Sequence, residues 1–89
     1  MKIDEIRISS KFRKQYKKLP KKIQRVAQEK ETIFRNNVFD SRLATHKLHG
    51  EDKGVWAFYI TPRSYRIKFI FLTPKSILFL EVGTHAIYK

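Results

Sequence analysis

The chain contains no cysteine and only three glycines and three prolines among its 89 residues. Without cysteine it can form neither disulfides nor thiolate metal sites, which is typical of proteins in a reducing compartment. It also lacks an apolar run of the roughly 18 residues that a membrane-spanning helix needs. The N-terminus, MKIDEIRISS, has no apolar centre of the kind found in signal peptides. These absences predict a soluble, cytoplasmic protein.

Acidic residues are also scarce, with 8 Asp and Glu against 20 Lys and Arg, so that the net charge is +12. Such an excess favours polyanions, which means nucleic acid or an acidic protein partner. An anionic membrane surface is less favoured, because the basic helices have no broad apolar face beyond the one that the core requires. A basic surface that serves only solubility is the remaining interpretation, although roughly 2 to 8 charges suffice for that in a small domain.

The first half of the chain predicts one strand and two helices within a single domain, residues 1–89. Isoleucines with a two-residue period favour a short strand in 2–8. Ser9 or Ser10 is a suitable N-cap for a helix that Pro20 ends, and the same proline suits the start of a second helix. The second helix should end at Asn36-Asn37 in a left-handed conformation. The two helices are therefore expected to form a hairpin.

The second half predicts a long loop over 38–53 and then three strands at 55–61, 65–72 and 77–82. The turns between these strands are so short that neighbouring strands must run antiparallel. The predicted fold class is α+β, in which the N-terminal strand and the three-strand meander form a small antiparallel sheet that carries the helical hairpin. In the middle strand, Arg66 and Lys68 should point away from the aromatic face.

Eight lysines are candidates for binding an RNA backbone. Most of them lie in the basic stretch of the helical hairpin, where no acidic residue intervenes between positions 11 and 25. A single surface lysine is more often only a solvated charge, but the cluster creates a field that can hold phosphates. The candidates are Lys11, Lys14, Lys17, Lys18, Lys21, Lys22, Lys47 and Lys68.

Five residues are candidates for catalysis: His46, His49, Arg66, His85 and Tyr88. Histidines titrate near neutral pH, so two of them beside a phosphodiester can act as general base and general acid. An arginine can bind a phosphorane in bidentate fashion, and a tyrosine can stack on a base.

Each candidate also has a purely structural interpretation. A loop histidine is often only a hydrogen-bonded surface residue, Arg66 can cap a sheet face or pair with Glu81, and Tyr88 can cover the core. No metal and no other cofactor is expected, because His46 and His49 are the only close pair of ligands and no acidic residue lies at motif spacing.

Several motifs, in this order, resemble the RelE/ParE superfamily of toxins from type II toxin–antitoxin systems. They are KLPKKIQ in the hairpin, the HKLHG turn, the strands GVWAFYI and YRIKFIF, and the ending FLEVGTHAIYK. The resemblance covers about residues 2 to 88. The histidine pattern and the Gly-Thr-His-Ala ending are most similar to the YafQ-like mRNA interferases.

This resemblance implies a microbial-RNase fold and metal-independent, ribosome-dependent cleavage of mRNA in the A site by attack of the 2'-hydroxyl. It also implies an antitoxin partner. Carried over by position, His46 and His85 would be the acid–base pair, Arg66 would stabilise the transition state, and Tyr88 would be the terminal aromatic residue. His49 lies where the family varies.

The chain departs from the YafQ-like pattern before the arginine strand. That branch has an acidic-aromatic pair there, whereas this chain reads Pro62-Arg63-Ser64-Tyr65, and Glu51 is an alternative base. Two other functions stay open: a ParE-type toxin that inhibits DNA gyrase by binding, and an inactive RNA-binding relative.

Overall fold

Two helices pack on one face of a five-stranded sheet. The structure is a computed structural model that describes residues 2–50, 53–62 and 64–84. In chain order the elements are β1 (Glu5–Ile8), α1 (Ser10–Lys17), α2 (Lys21–Asn36), a 3-10 turn (Ser41–Leu43), β2 (His46–Lys47), β3 (Trp56–Tyr59), β4 (Arg66–Thr73) and β5 (Ser76–Gly83). The strand order across the sheet is β1-β5-β4-β3-β2.

The predicted α+β fold is confirmed, but the sheet is mixed rather than wholly antiparallel. The meander β3-β4-β5 is antiparallel, as its short turns require. β1 instead runs parallel to β5, with Ile8 opposite Phe79. The connection between β1 and β5 is long, so no turn fixes their relative direction. The predicted loop over 38–53 also contains the 3-10 turn and β2.

The start of α1 is tied to the edge of β5. Of the two serines predicted as the N-cap, Ser9 is the one that caps the helix: its Oγ accepts a hydrogen bond from the backbone N–H of Phe12 at 2.9 Å. The same hydroxyl donates to the carbonyl of Leu80 at 2.7 Å. Further along α1, Gln15 Oε1 accepts from the backbone N–H of Val82 at 2.8 Å. β1 ends beside Phe79. Beyond that residue, α1 and its N-cap therefore bond to the backbone groups of β5 that face away from β4.

The hairpin turn between the helices is closed by Gln24. Its Nε2 donates to the carbonyls of Tyr16 and Leu19, each at 3.1 Å. Pro20 precedes α2, as predicted. At the other end of α2, Asn37 has φ −157°, so the helix ends in extended backbone and not in the left-handed conformation that the Asn-Asn pair had indicated.

The core lies between α2 and the sheet and is built around Phe34. The side chain of Phe34 is fully buried, with its ring centroid 4.6 Å from that of Phe58, 5.0 Å from that of Phe69 and 5.6 Å from that of Phe79. Because this packing uses the face of β4 that carries Phe69, the face that carries Arg66 and Lys68 is turned away from the helices. In the described part of the chain no helix has the length and apolarity to cross a membrane.

Candidate active site

The polar face of the sheet is the face opposite the helices. Residues paired across neighbouring antiparallel strands project to the same side. One row on this side consists of His46, Ala57, Lys68 and Glu81, and the next consists of Tyr59, Arg66 and Gly83. The register therefore brings together three residues predicted from the sequence, His46, Arg66 and Lys68, and adds Tyr59 and Glu81.

His46 is held by the turn that precedes it. Ala44 adopts the left-handed conformation, with φ 50°, and its carbonyl lies 2.9 Å from His46 Nδ1. A carbonyl oxygen can only accept, so Nδ1 carries the hydrogen of this bond. Nε2 is then the ring nitrogen that can exchange a proton with a substrate. The imidazole also stacks on the ring of Tyr59, with a centroid separation of 5.7 Å and an interplanar angle of 28°.

Arg66 is buried although it is charged, with 9% of its surface exposed. Its Cζ lies 4.8 Å from the centroid of the Tyr59 ring, within the range of a cation–π interaction. Tyr59 therefore contacts both His46 and Arg66. Sequence reasoning missed Tyr59, because only the pairing of β3 with β4 places it opposite Arg66.

Lys68 is still more buried, with 6% of its surface exposed, and it is paired with Glu81. Its Nζ lies 3.4 Å from Glu81 Oε2, and the second carboxylate oxygen, Oε1, lies 2.9 Å from the Nζ of Lys11 on α1. The sequence had suggested Arg66 as a structural partner of Glu81, whereas the ion pairs that the structure shows for Glu81 involve Lys68 and Lys11.

Burial raises the pKa of the Glu81 carboxyl, whereas the hydrogen bond from Lys11 and the charge of Lys68 lower it. The lowering effects prevail, so the pKa lies below its ordinary value and the carboxylate is ionised at neutral pH. A negative charge thus lies on the polar face, between two of the cations predicted to bind RNA.

A pocket of about 300 Å³ lies beside Tyr59. Of the described residues that line it, Lys30 and Arg42 are charged, and the others are Ala44, Tyr59, Ile60 and Pro62. Arg42 forms an ion pair with Asp40, with 2.9 Å between Nη2 and Oδ2. The hydrogen bond from Arg42 lowers the pKa of Asp40 to about 2. Across residues 2–50, 53–62 and 64–84, no group of three or more histidine, cysteine or acidic side chains is placed to hold a metal ion.

Among solved structures, the *Escherichia coli* DinJ-YafQ toxin–antitoxin complex matches with a TM-score of 0.74 and 25% identity, over 98% of this chain and 97% of the matched chain. The chain has the RelE/ParE toxin fold. The YoeB/ParE toxin from *Agrobacterium tumefaciens* matches with a TM-score of 0.76 and 12% identity, over 92% and 99% of the two chains. The archaeal RelE-RelB complex from *Pyrococcus horikoshii* OT3 matches with a TM-score of 0.71 and 19% identity, over 94% and 96%. No family model and no curated protein matches the chain.

The resemblance to the RelE/ParE superfamily, and to YafQ within it, is thus confirmed at the level of the fold. Within this fold, His49 is exposed and follows β2, while Lys47 is exposed on the side of β2 opposite His46. His85 and Tyr88 lie outside the described residues, as does the alternative base Glu51. The hairpin lysines that are exposed on α1, α2 and the turn between them are Lys11, Lys14, Lys17, Lys18, Lys21 and Lys22.

Proposed function

We propose that this protein is the toxin of a type II toxin–antitoxin system and a ribosome-dependent endoribonuclease of the cytoplasm. The observation that carries the proposal is the convergence of His46, Arg66 and Lys68 on one face of the sheet, where Tyr59 contacts both His46 and Arg66. Arg66 and Lys68 place two nearly buried cations on this face, and both guanidinium and ammonium groups make charge-assisted hydrogen bonds with anionic oxygens. A backbone phosphate is an anion that suits them, and the similarity to toxin structures supports the same interpretation.

The reaction needs no nucleophile from the protein, because RNA supplies its own 2'-hydroxyl. The 2'-oxygen bonds to phosphorus as the bond from phosphorus to the 5'-oxygen breaks, which leaves a 2',3'-cyclic phosphate and a 5'-hydroxyl. A base takes the proton of the 2'-hydroxyl and an acid protonates the leaving 5'-oxygen. His46 Nε2 provides one of these functions and His85 the other, while Arg66 stabilises the charge that develops on the phosphorane. Tyr88, the terminal aromatic residue, stacks on a base.

The hairpin lysines bind ribosomal RNA, and an acidic antitoxin covers the protein when it is not active. A groove of about 270 Å³ between the hairpin and the sheet suits such a partner. Apolar side chains form its floor, among them Phe12 and Phe79. The charged residues that line it include Arg13, Lys17 and Glu31, and Glu31 is paired with Arg35. An antitoxin segment with apolar and acidic residues would complement this groove in shape and in charge.

The test is primer-extension mapping of transcripts after brief induction in bacteria. Wild type is compared with His46→Ala and His85→Ala, and with Lys75→Ala, an exposed cation in the β4-β5 turn, as the control. We expect cuts at defined positions within translated codons for wild type and the control, and a loss of at least about 100-fold for each histidine variant. Intact transcripts with accumulated cleaved DNA would instead indicate a ParE-type gyrase inhibitor. Absence of growth arrest would leave only a binding protein.

A further inference from the structure

The carboxylate of Glu81 bridges two lysines that come from different elements. Oε1 lies 2.9 Å from the Nζ of Lys11 on α1, and Oε2 lies 3.4 Å from the Nζ of Lys68 on β4. The Lys68 side chain is 8% exposed and that of Glu81 18%, whereas that of Lys11 is 67% exposed. The bridge therefore runs from the interior of the sheet to its surface.

The bridge lies among the candidate site residues of the polar face. Glu81 lies in the same row as His46 and directly opposite Lys68, and the next row contains Arg66. A carboxylate between two ammonium groups makes the same charge-assisted hydrogen bonds that the non-bridging oxygens of a phosphate would make. An RNA strand that crosses the polar face would bring its backbone phosphates to these same cations.

We propose, on the basis of the function proposed above, that Glu81 is an internal substitute for an RNA phosphate. In the protein without RNA, its carboxylate compensates the charge of Lys68 and holds Lys11 over the polar face. When RNA binds, a backbone phosphate displaces the carboxylate and accepts hydrogen bonds from both ammonium groups in its place.

The rest of α1 is suited to this exchange. Ser9 and Gln15 tie the helix to β5 on either side of Lys11. The helix can therefore stay in place while the long side chain of Lys11 moves from the carboxylate to the phosphate. Only side-chain rotations are required, and these are fast compared with binding.

The first test measures binding alone. The probe is a fluorescently labelled single-stranded 2'-O-methyl RNA, which has no 2'-hydroxyl and cannot be cleaved. Glu81→Gln is compared with wild type and with Glu5→Gln, which removes an equal charge from an exposed ion pair with Arg7 on β1. We expect Glu81→Gln to bind about three- to tenfold more tightly than wild type, and Glu5→Gln to stay within about twofold of it.

Tighter binding by a less stable variant distinguishes this role from a purely structural one. If Glu81 only stabilised the fold, its replacement would weaken binding or leave it unchanged, and either result would overturn the proposal. The same holds if Glu5→Gln gains as much affinity as Glu81→Gln, because the effect would then reflect net charge alone. If Glu81→Gln bound an acidic peptide more tightly than wild type does but showed no such gain for the RNA, that result would also overturn the proposal.

A measurement on the wild-type protein does not depend on the folding of any variant. The pKa of Glu81 can be followed by NMR of its side-chain carboxyl carbon, with and without the 2'-O-methyl RNA. If a phosphate displaces the Glu81 carboxylate from both lysines and lies beside it, RNA should raise the pKa of Glu81. An unchanged or lower pKa would contradict displacement. Neither experiment requires cleavage. Failure of transcript cleavage would therefore count against the proposed nuclease function, and failure of these two tests against the role of Glu81.

Discussion

Tyr59 joins the two residues to which the proposed reaction assigns proton transfer and charge stabilisation. Its ring stacks with the imidazole of His46 and lies under the guanidinium of Arg66. An aromatic ring restricts both neighbours without competing for the hydrogen bonds that a phosphate would need. At this scale, the positions of the reactive groups depend on a side chain that carries no charge.

Replacement of Tyr59 by leucine is expected to reduce transcript cleavage about tenfold, because the stacking and the cation–π contact are both lost. Tyr59→Phe keeps the ring and should retain most of the activity. The measurement is primer extension at matched expression levels. Equal activity of the leucine and phenylalanine variants would show that the ring does not position His46 and Arg66.

Glu81 also gives the protein a specific pH dependence of stability. Its pKa is lower in the folded protein than in the unfolded chain, so its stabilising contribution is complete above about pH 4.5 and is lost as the pH falls through the folded value. Glu81→Gln lacks this contribution. We expect the variant to be less stable than wild type by about 1 to 3 kcal/mol at pH 7, and the difference to shrink below about pH 4.5.

Urea unfolding of both proteins between pH 3 and pH 7 measures this difference. The titration of Asp40, whose pKa is about 2, occurs in both proteins and cancels in the comparison. A stability difference that stayed constant down to pH 3 would contradict the assigned ionisation of Glu81.

At the scale of the elements, α1 acts as a substitute for a strand. β1 pairs with β5 only as far as Phe79, and Ser9 and Gln15 of the helical segment then satisfy the backbone groups of Leu80 and Val82. The helix that carries Lys11 is thereby fixed to the strand that carries Glu81. The sequence indicated the N-cap, but not this second function of Ser9.

Ser9→Ala removes both the cap and the tie to β5, and we expect it to lower the free energy of unfolding by about 1 to 2 kcal/mol. Ser10→Ala is the matched control, because Ser10 is exposed and Ser9 provides the cap. Chemical denaturation of the three proteins tests this. A larger loss for Ser10→Ala than for Ser9→Ala would mean that the cap is misassigned.

At the scale of the whole molecule, the net charge is +12, and residues 11–25 contain eight basic residues and no acidic one. Among the described residues, the hairpin lysines are exposed at the surface, whereas Lys68 is buried on the polar face of the sheet. The exposed lysines can supply affinity for polyanions at long range, and the buried cations can act only on a group that enters the site.

Neutralising three hairpin lysines should therefore weaken RNA binding and its dependence on salt. For single strands, the slope of log affinity against log salt is expected to fall by about 2 when three contacts are lost. Three exposed lysines elsewhere serve as the control, and their neutralisation should change the slope little. The test set is Lys17, Lys18 and Lys21, and the control set is Lys2, Lys53 and Lys75. Equal slopes for both sets would show that net charge alone matters.

The sequence alone determined the features that depend on neighbouring residues. The helical hairpin around Pro20, a serine cap at position 9 or 10 and the antiparallel meander follow from local periodicity, capping and short turns. The alternation of side chains along β4 was enough to separate Arg66 and Lys68 from the core. The order of several weak motifs was enough to indicate the RelE/ParE fold.

Only the tertiary structure decided which distant residues meet. The parallel pairing of β1, the position of Tyr59 between His46 and Arg66, and the bridge from Glu81 to Lys11 and Lys68 all depend on strand register and on where α1 lies against β5. Register and docking are fixed by the packing of the whole core around Phe34, not by local preference. The sequence could therefore name candidate residues, but their pairing is a property of the folded chain.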